Sequence, residues 1–417
     1  MIAVTSGSRS SRVAIEGLSQ QHLIAFGEVE PASRRQIERC LDVAGASSRG
    51  VLCADHHKGY SMPIGGVVAS QEVVMPAGVG YDIGCGNCAV QTGLKAADVD
   101  ISRVMDEIWR TISFGMGRNN DERISEHPVF DAIDRSPVKE QRQLLSVARG
   151  QLGTVGGGNH YVDLFEDRED GSLWVGVHFG SRGLGHKTAS GFLALAARKD
   201  WGARVADNMD APPDAISLGT PLADDYLAAM HIAGEYAYAG RDWVVDRVLK
   251  ILQAEAVQRV HNHHNFAWWE KHDNRRTLVV RKGATPAFPG QKGFIGGSMG
   301  DDAVIVEGVD SPKSREALYS TVHGAGRVMS RTQAAGKIDR RTRKQLSCGV
   351  VNWPKWQQEL KARGIELRGG GADEAPECYK DLKEVLAAHS RTIKILHTLR
   401  PIGVAMAGKD TFDPYRD

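Results

Sequence analysis

Apolar and polar positions follow two rhythms along this chain. Short apolar runs bounded by glycine or polar residues, "RGVLCA", "GGVVASQEVVM" and "NCAVQTG", predict β-strands in its first part. The runs "HYVDLFE" (160–166), "LWVGVHF" (173–179), "RTLVVRKG" and "DAVIVEG" predict further strands. Helical spacing predicts helices over 31–45, with Pro31 near the start, over 98–113, over 137–150 and along a tract at 221–256. A last helix is expected over 376–397, ahead of the apolar segment "RPIGVAMAG". No repeat, low-complexity segment or Pro/Ser-rich linker divides the chain. Strands and helices interleave irregularly, which predicts an α+β fold: one large domain over 1–417, with central β-sheets flanked by helices. A doubly wound sheet, which needs regular βαβ units, is the second choice.

Composition adds limits. Lys and Arg number 52 against 51 Asp and Glu, so a nucleic-acid partner has to meet a local basic patch rather than a basic protein. Six irregularly spaced cysteines make no disulfide framework in a chain of this length. The N-terminal "MIAVTSGSRSSRVAIEG" has no signal core, and no apolar run is long enough to span a membrane. The expected setting is a reducing cytoplasm.

The fifteen histidines matter more, because they cluster beside glycines. "AGVGYDIGCGNCAV" (77–90) presents Asp82 and Cys85 on a constrained turn, with Cys88 following. "GTVGGGNHYVD" carries Asn159 and His160, "WVGVHFGSRGLGH" puts His178 at a strand end, and "HNHHNF" holds His261, His263 and His264. Neutral imidazoles, a thiolate and a carboxylate make a divalent-metal donor set. Their number exceeds one tetrahedral shell and suggests two metals sharing a ligand. Ligand softness alone favours zinc. In "STVHGAGRVMSR", His323 precedes small residues that leave its imidazole room and bare amides for an anion, as a histidine nucleophile needs. "GGSMGDD" (296–302) is a second loop able to wrap phosphate, and Arg281 and Lys282 stand beside a turn as anion contacts. The basic runs 273–282 and 339–345, with Trp268 and Trp269 upstream of the first, are candidates to meet a nucleic-acid backbone and stack a base. "GVAMAGKD" ends in Asp where a P-loop needs Ser or Thr, so the common nucleotide motif is missing.

Taken together, "ADHHKGYSMPIGGV", "PAGVGYDIGCG", "GTVGGGNHYVD", "HFGSRGLGH", "HHNFA", "GSMG", "HGAGRVMSR", "DEAPECYKD" and "LRPIGV" resemble the ordered motifs of RtcB-type RNA ligases, over about residues 50–405, with 406–417 as a C-terminal extension. The resemblance implies joining of RNA 3′-phosphate or 2′,3′-cyclic phosphate ends to 5′-hydroxyl ends, in tRNA splicing or RNA repair, with GTP and two manganese ions in place of zinc. It implies that His323 receives GMP. It also implies one metal held by Cys85, His160 and His178, and a second by Asp82, Cys85 and His264. Asn159, Asp163, Asn265, Gly297, Ser298, Met299, Gly324, Ala325 and Gly326 match nucleotide-contacting positions. The implied partners are RNA ends and GTP, with room for an activating protein factor. A metal-dependent cyclic phosphodiesterase that does not ligate is the rival reading; it would not need His323. Departures are Asp163 for a frequent Glu, Pro286 for a basic residue, Gly296 for a Pro, and Met406 for a lysine that contacts guanine, with Lys409 as an alternative cation.

Overall fold

The apolar runs pair into two sheets that meet at the histidine clusters. The structure is a computed structural model and describes residues 22–205, 209–337, 339, 342 and 345–408. The larger sheet has eight strands. In order they are Lys292–Ile295, Ala303–Gly308, Ile393–Gly408, Tyr161–Asp167, Ser172–Phe179, Gly86–Lys95 and Ala256–His263, with Glu366–Gly370 added in parallel to Ile393–Gly408. All its other pairings are antiparallel, so the doubly wound alternative does not hold. The two end strands come back toward each other. Asn87 donates its amide to Phe294 O (2.9 Å), and Phe294 N donates to Asn262 Oδ1 (3.2 Å), stitching a nearly closed sheet through side chains.

The second sheet runs His22–Ala25, Arg49–His57, Ile64–Ser70, Arg275–Lys282, Asn265–His272. Its hairpin turns at Asp273 and Asn274, both at positive φ (48° and 62°), the mirror-image turn that matches strand twist. The chain passes from one sheet to the other at His264, between strand Ala256–His263 and strand Asn265–His272. There His264 N and Asn265 N both donate to Cys85 O, at 2.8 and 3.3 Å.

Helix Pro221–Leu252 lies against the larger sheet. Thr220 caps it by accepting from Ala223 N, Pro221 opens it, and Gln253 closes it in the left-handed conformation. Its buried face carries Ala233, Gly234 and Ala237. These small side chains let the turn at Gly84 approach so closely that a Cβ on Gly84 would lie 3.1 Å from Gly234 Cα. Helices Pro31–Ala44, Ile101–Thr111 and Arg182–Ala196 flank the sheets. Among the described residues no helix is long and apolar enough to cross a membrane.

Three predicted elements change. Residues 137–150 form two short helices, Lys139–Arg142 and Leu145–Gln151. The long tract ends at Leu252, and Ala256 already begins the strand that carries the histidines. The helix expected over 376–397 shrinks to Leu382–Ala388. From Ile393 the chain is a strand, because hydrogen-bonded neighbours on both sides claim it, and a register shift at Pro401/Gly403 accommodates the proline.

Candidate active site

The predicted metal, nucleotide and nucleophile residues all line one cleft of about 1160 Å³. Asp82 and Cys85 come from the glycine turn that enters strand Gly86–Lys95. His160 precedes Tyr161–Asp167, and His178 is the penultimate residue of Ser172–Phe179. His264 sits at the crossing between sheets. Gly86 keeps this junction tight, since a Cβ there would meet Asn262 O at 2.1 Å.

The distances group the donors in two sets that share Cys85: Asp82, Cys85 and His160, and Cys85, His178 and His264. His160 Nε2 is 3.2 Å from Asp82 Oδ2, and His178 Nε2 is 3.4 Å from Cys85 Sγ and 3.3 Å from His264 Nε2. His160 Nε2 is also 3.6 Å from Cys85 Sγ, so the donors gathered around Cys85 equally allow the expected division, His160 with His178 and Asp82 with His264, and Cys85 is common to either. The donor chemistry fits cations. His178 Nδ1 lies 3.1 Å from Asn159 O, which can only accept, so the proton sits on Nδ1 and the Nε2 lone pair points at Cys85 and His264. Burial, aided by neighbouring positive groups, lowers the pKa of both His178 and His264 well below the usual range and keeps them neutral. Burial pushes Asp82 upward, but the hydrogen bond and charge of His160, with Arg182, outweigh it and hold the carboxyl at about 2. Burial and then Asp82 raise the Cys85 thiol well above its ordinary value, so only a bound cation would make it a thiolate.

His323 stands next to this cluster, its ring 4.8 Å from that of His264. Asp55, fully buried at 268 residues' separation, accepts from His323 N at 3.0 Å and lies 2.7 Å from its Nδ1. Burial alone would raise Asp55, yet the charge and hydrogen bonds of His323 lower it, so the pair is a carboxylate with an Nδ1–H donor. In the neutral imidazole the lone pair is then on Nε2. Gly326 lets the loop after His323 fold onto Asp55: its φ is +79°, and a Cβ would lie 2.1 Å from Asp55 O.

Sequence reasoning gave Asp55 and two arginines no role. Arg182 lies 3.2 Å from His160 Nδ1 and lines the cleft. Arg241, fully buried, donates to Gly84 O (2.9 Å), Phe179 O (2.5 Å) and His261 Nε2 (2.7 Å), and so ties the Asp82–Cys85 turn to the strand of His178. Arg241→Leu would leave those carbonyls unpaired. It is expected to weaken metal binding by roughly 10- to 100-fold in a competitive metal titration, with a lowered melting temperature.

The Arg241 contact also bears on Cys88, which gathers with Asp242 and His261. Because Arg241 donates to His261 Nε2, the imidazole proton sits on Nδ1, which faces Asp242 Oδ1 at 3.5 Å, and no lone pair remains for a metal. Arg281 and Lys282 do not serve as anion contacts. Arg281 is buried against Glu270, and Lys282 donates to Tyr60 O and Ala77 O, with burial lowering it to about 8. Trp268, half-buried, stacks on Arg281, whereas Trp269 stays exposed beneath Arg276. Asn265 lines the cleft, but its amide holds Gly283 N (2.7 Å) and Asp82 O (3.4 Å). Ser298 donates to Asp301. Lys409, and most of the basic run 339–345, lie outside the described residues.

Comparison with known proteins places the chain in a family. The family model described as tRNA-splicing ligase RtcB matches residues 36–139 and 122–407. The RNA-splicing ligase RtcB of Escherichia coli strain K12 is 30% identical over 90% of this chain and 94% of the relative. The tRNA-splicing ligase RtcB of Aeropyrum pernix is 31% identical over 88% of this chain and 89% of the relative. The RNA-splicing ligase RtcB homolog 1 of Entamoeba dispar is 30% identical over 89% and 81%. With a match along nearly its whole length, the chain belongs to the tRNA-splicing ligase RtcB family.

Proposed function

We propose that this chain is an RNA ligase that joins a 3′-phosphate or 2′,3′-cyclic phosphate end to a 5′-hydroxyl end through a nucleotide held covalently on His323. The observation that supports this most is the buried Asp55–His323 pair, which opens onto the same cleft as the donor cluster. Asp55 keeps the proton on Nδ1, so Nε2 can attack the α-phosphorus of a purine nucleoside triphosphate, the resemblance implying GTP. Pyrophosphate leaves with the electron pair of the broken anhydride bond. The nucleotide then passes to the RNA 3′-phosphate, and the 5′-hydroxyl displaces it as the monophosphate. A cyclic end is first opened by water.

Asp82, Cys85, His160, His178 and His264 would hold two divalent metals that share Cys85; manganese is the ion the resemblance implies. Such ions would neutralise charge on phosphate oxygens. Arg182, in reach of the same space, adds a fixed positive charge for the substrate's phosphates.

The test is incubation of the purified chain with manganese and α-labelled GTP or ATP. Acid-labile label is expected on the protein, chased onto a 3′-phosphorylated RNA and released when a 5′-hydroxyl RNA is joined. A metal-loaded protein that takes no label from any nucleotide would overturn the ligase reading in favour of phosphodiesterase activity.

A further inference from the structure

Asp55 stands in a stretch of strand that neither neighbouring strand pairs with among the described residues. Strand Arg49–His57 follows Ile64–Ser70 up to Leu52 and meets it again at His57, so that Cys53–His56 oppose the single residue Gly65. On its other side the pairing with His22–Ala25 also stops at Leu52. Extended backbone without a partner strand needs other groups to complete its hydrogen bonds.

Side chains complete the carbonyls here. His56 Nδ1 faces Cys53 O at 2.7 Å, and His57 Nδ1 faces Asp55 O at 3.1 Å. Ala54 N donates to His389 Nε2 at 3.2 Å. The other two carbonyls, those of Ala54 and His56 on either side of Asp55, share one ammonium: Lys380 Nζ donates to them at 3.0 and 2.7 Å. The backbone N–H of Lys380 donates to Gly326 O at 2.9 Å, in the loop that follows His323. One residue thus joins the segment carrying Asp55 to the loop carrying the nucleophile.

The aim of the Asp55 carboxylate depends on that segment. Its Oδ2 takes the His323 backbone N–H and faces Nδ1, whereas its Oδ1 has no hydrogen-bond partner among the described residues. With nothing anchoring the second oxygen, the direction of the carboxylate follows its backbone. Lys380 itself lies outside the residues that line the cleft. We propose that Lys380 is a positioning residue for the charging of His323: by holding the two carbonyls that flank Asp55, it keeps the carboxylate on Nδ1 and Nε2 aimed into the cleft. This rests on the nucleotidylation of His323 argued above.

Single-turnover labelling with manganese and α-labelled GTP over a range of concentrations tests the role. Lys380→Met keeps the stem and loses the donors. It is expected to lower the maximal labelling rate by roughly 10- to 100-fold, as misplacement of a catalytic group does. The half-saturating GTP concentration should stay within about threefold, because the lysine acts on the reacting group rather than on nucleotide binding. Lys380→Arg, which keeps charged N–H donors, should recover most of the rate. Lys380→Gln should fall between, and carries the same comparison if the methionine variant does not fold. Combining either variant with Asp55→Asn separates positioning from general support of the fold. If Lys380 acts through Asp55, the double variant should label within about threefold of Asp55→Asn alone. Losses that multiply in the double variant would overturn the proposal. So would a rate near that of the unaltered protein in Lys380→Met or Lys380→Gln, or a raised half-saturating concentration at an unchanged maximal rate. Absence of label on the unaltered protein would instead overturn the nucleotidylation reading, and this proposal with it.

Discussion

His323→Ala is expected to leave no covalent nucleotide on the protein, and Asp55→Asn to slow its formation by about 10³- to 10⁴-fold. The second loss follows from the tautomer. Asp55 Oδ2 takes both the His323 backbone N–H and the Nδ1–H, which leaves Nε2 basic toward the cleft. An asparagine of the same shape can turn an amide N–H toward Nδ1. The imidazole proton then moves to Nε2, the atom that has to attack. Because the substitution keeps volume and one hydrogen bond, the fold should survive, and a melting curve beside the single-turnover labelling rate separates the two effects. An Asp55→Asn protein that charges within a few-fold of the unaltered one would show that Asp55 does not set the tautomer.

Cys85→Ala is expected to remove both metal ions at once, whereas Asp82→Ala and His178→Ala each weaken one. Cys85 is common to both donor sets, so its loss leaves two ligands in each, below what a stable divalent site needs. Elemental analysis of extensively dialysed protein reads this directly; full metal content in Cys85→Ala would break the shared-ligand geometry. The thiol also gives the sign of the pH dependence. Burial holds Cys85 protonated in the metal-free protein, so binding expels a proton and affinity should rise with pH.

Much of this site was legible in the linear order of residues because glycine-bordered histidines and the Asp82–Cys85 turn are local patterns. What pairs across long separation was not. Asp55 stands in "ADHH", but nothing in that string points to His323, 268 positions on. Arg241 reads as one more polar residue of a long helix until the fold buries it under the Asp82–Cys85 turn. The mispredicted helix after Pro376 has a similar cause: isolated, "LKEVLAAHSRTIKIL" supports helical spacing throughout, and only the neighbouring strands impose the extended half. Arg281 and Lys282 misled in the opposite way, since basic residues beside a turn usually face water, whereas here Glu270 and two backbone carbonyls take them inside.

Strand Ile393–Gly408 has a consequence for how the molecule is made. It lies inside the large sheet, between Ala303–Gly308 and Tyr161–Asp167, yet it is synthesised after every other strand of that sheet. On the ribosome the sheet must therefore wait with two apolar strand edges unpaired until this last segment emerges. A nascent chain stalled before residue 393 holds the donor cluster and His323 but cannot close the sheet around them. The interval between translating His323 and completing the sheet is when these apolar edges stand open to wrong pairing.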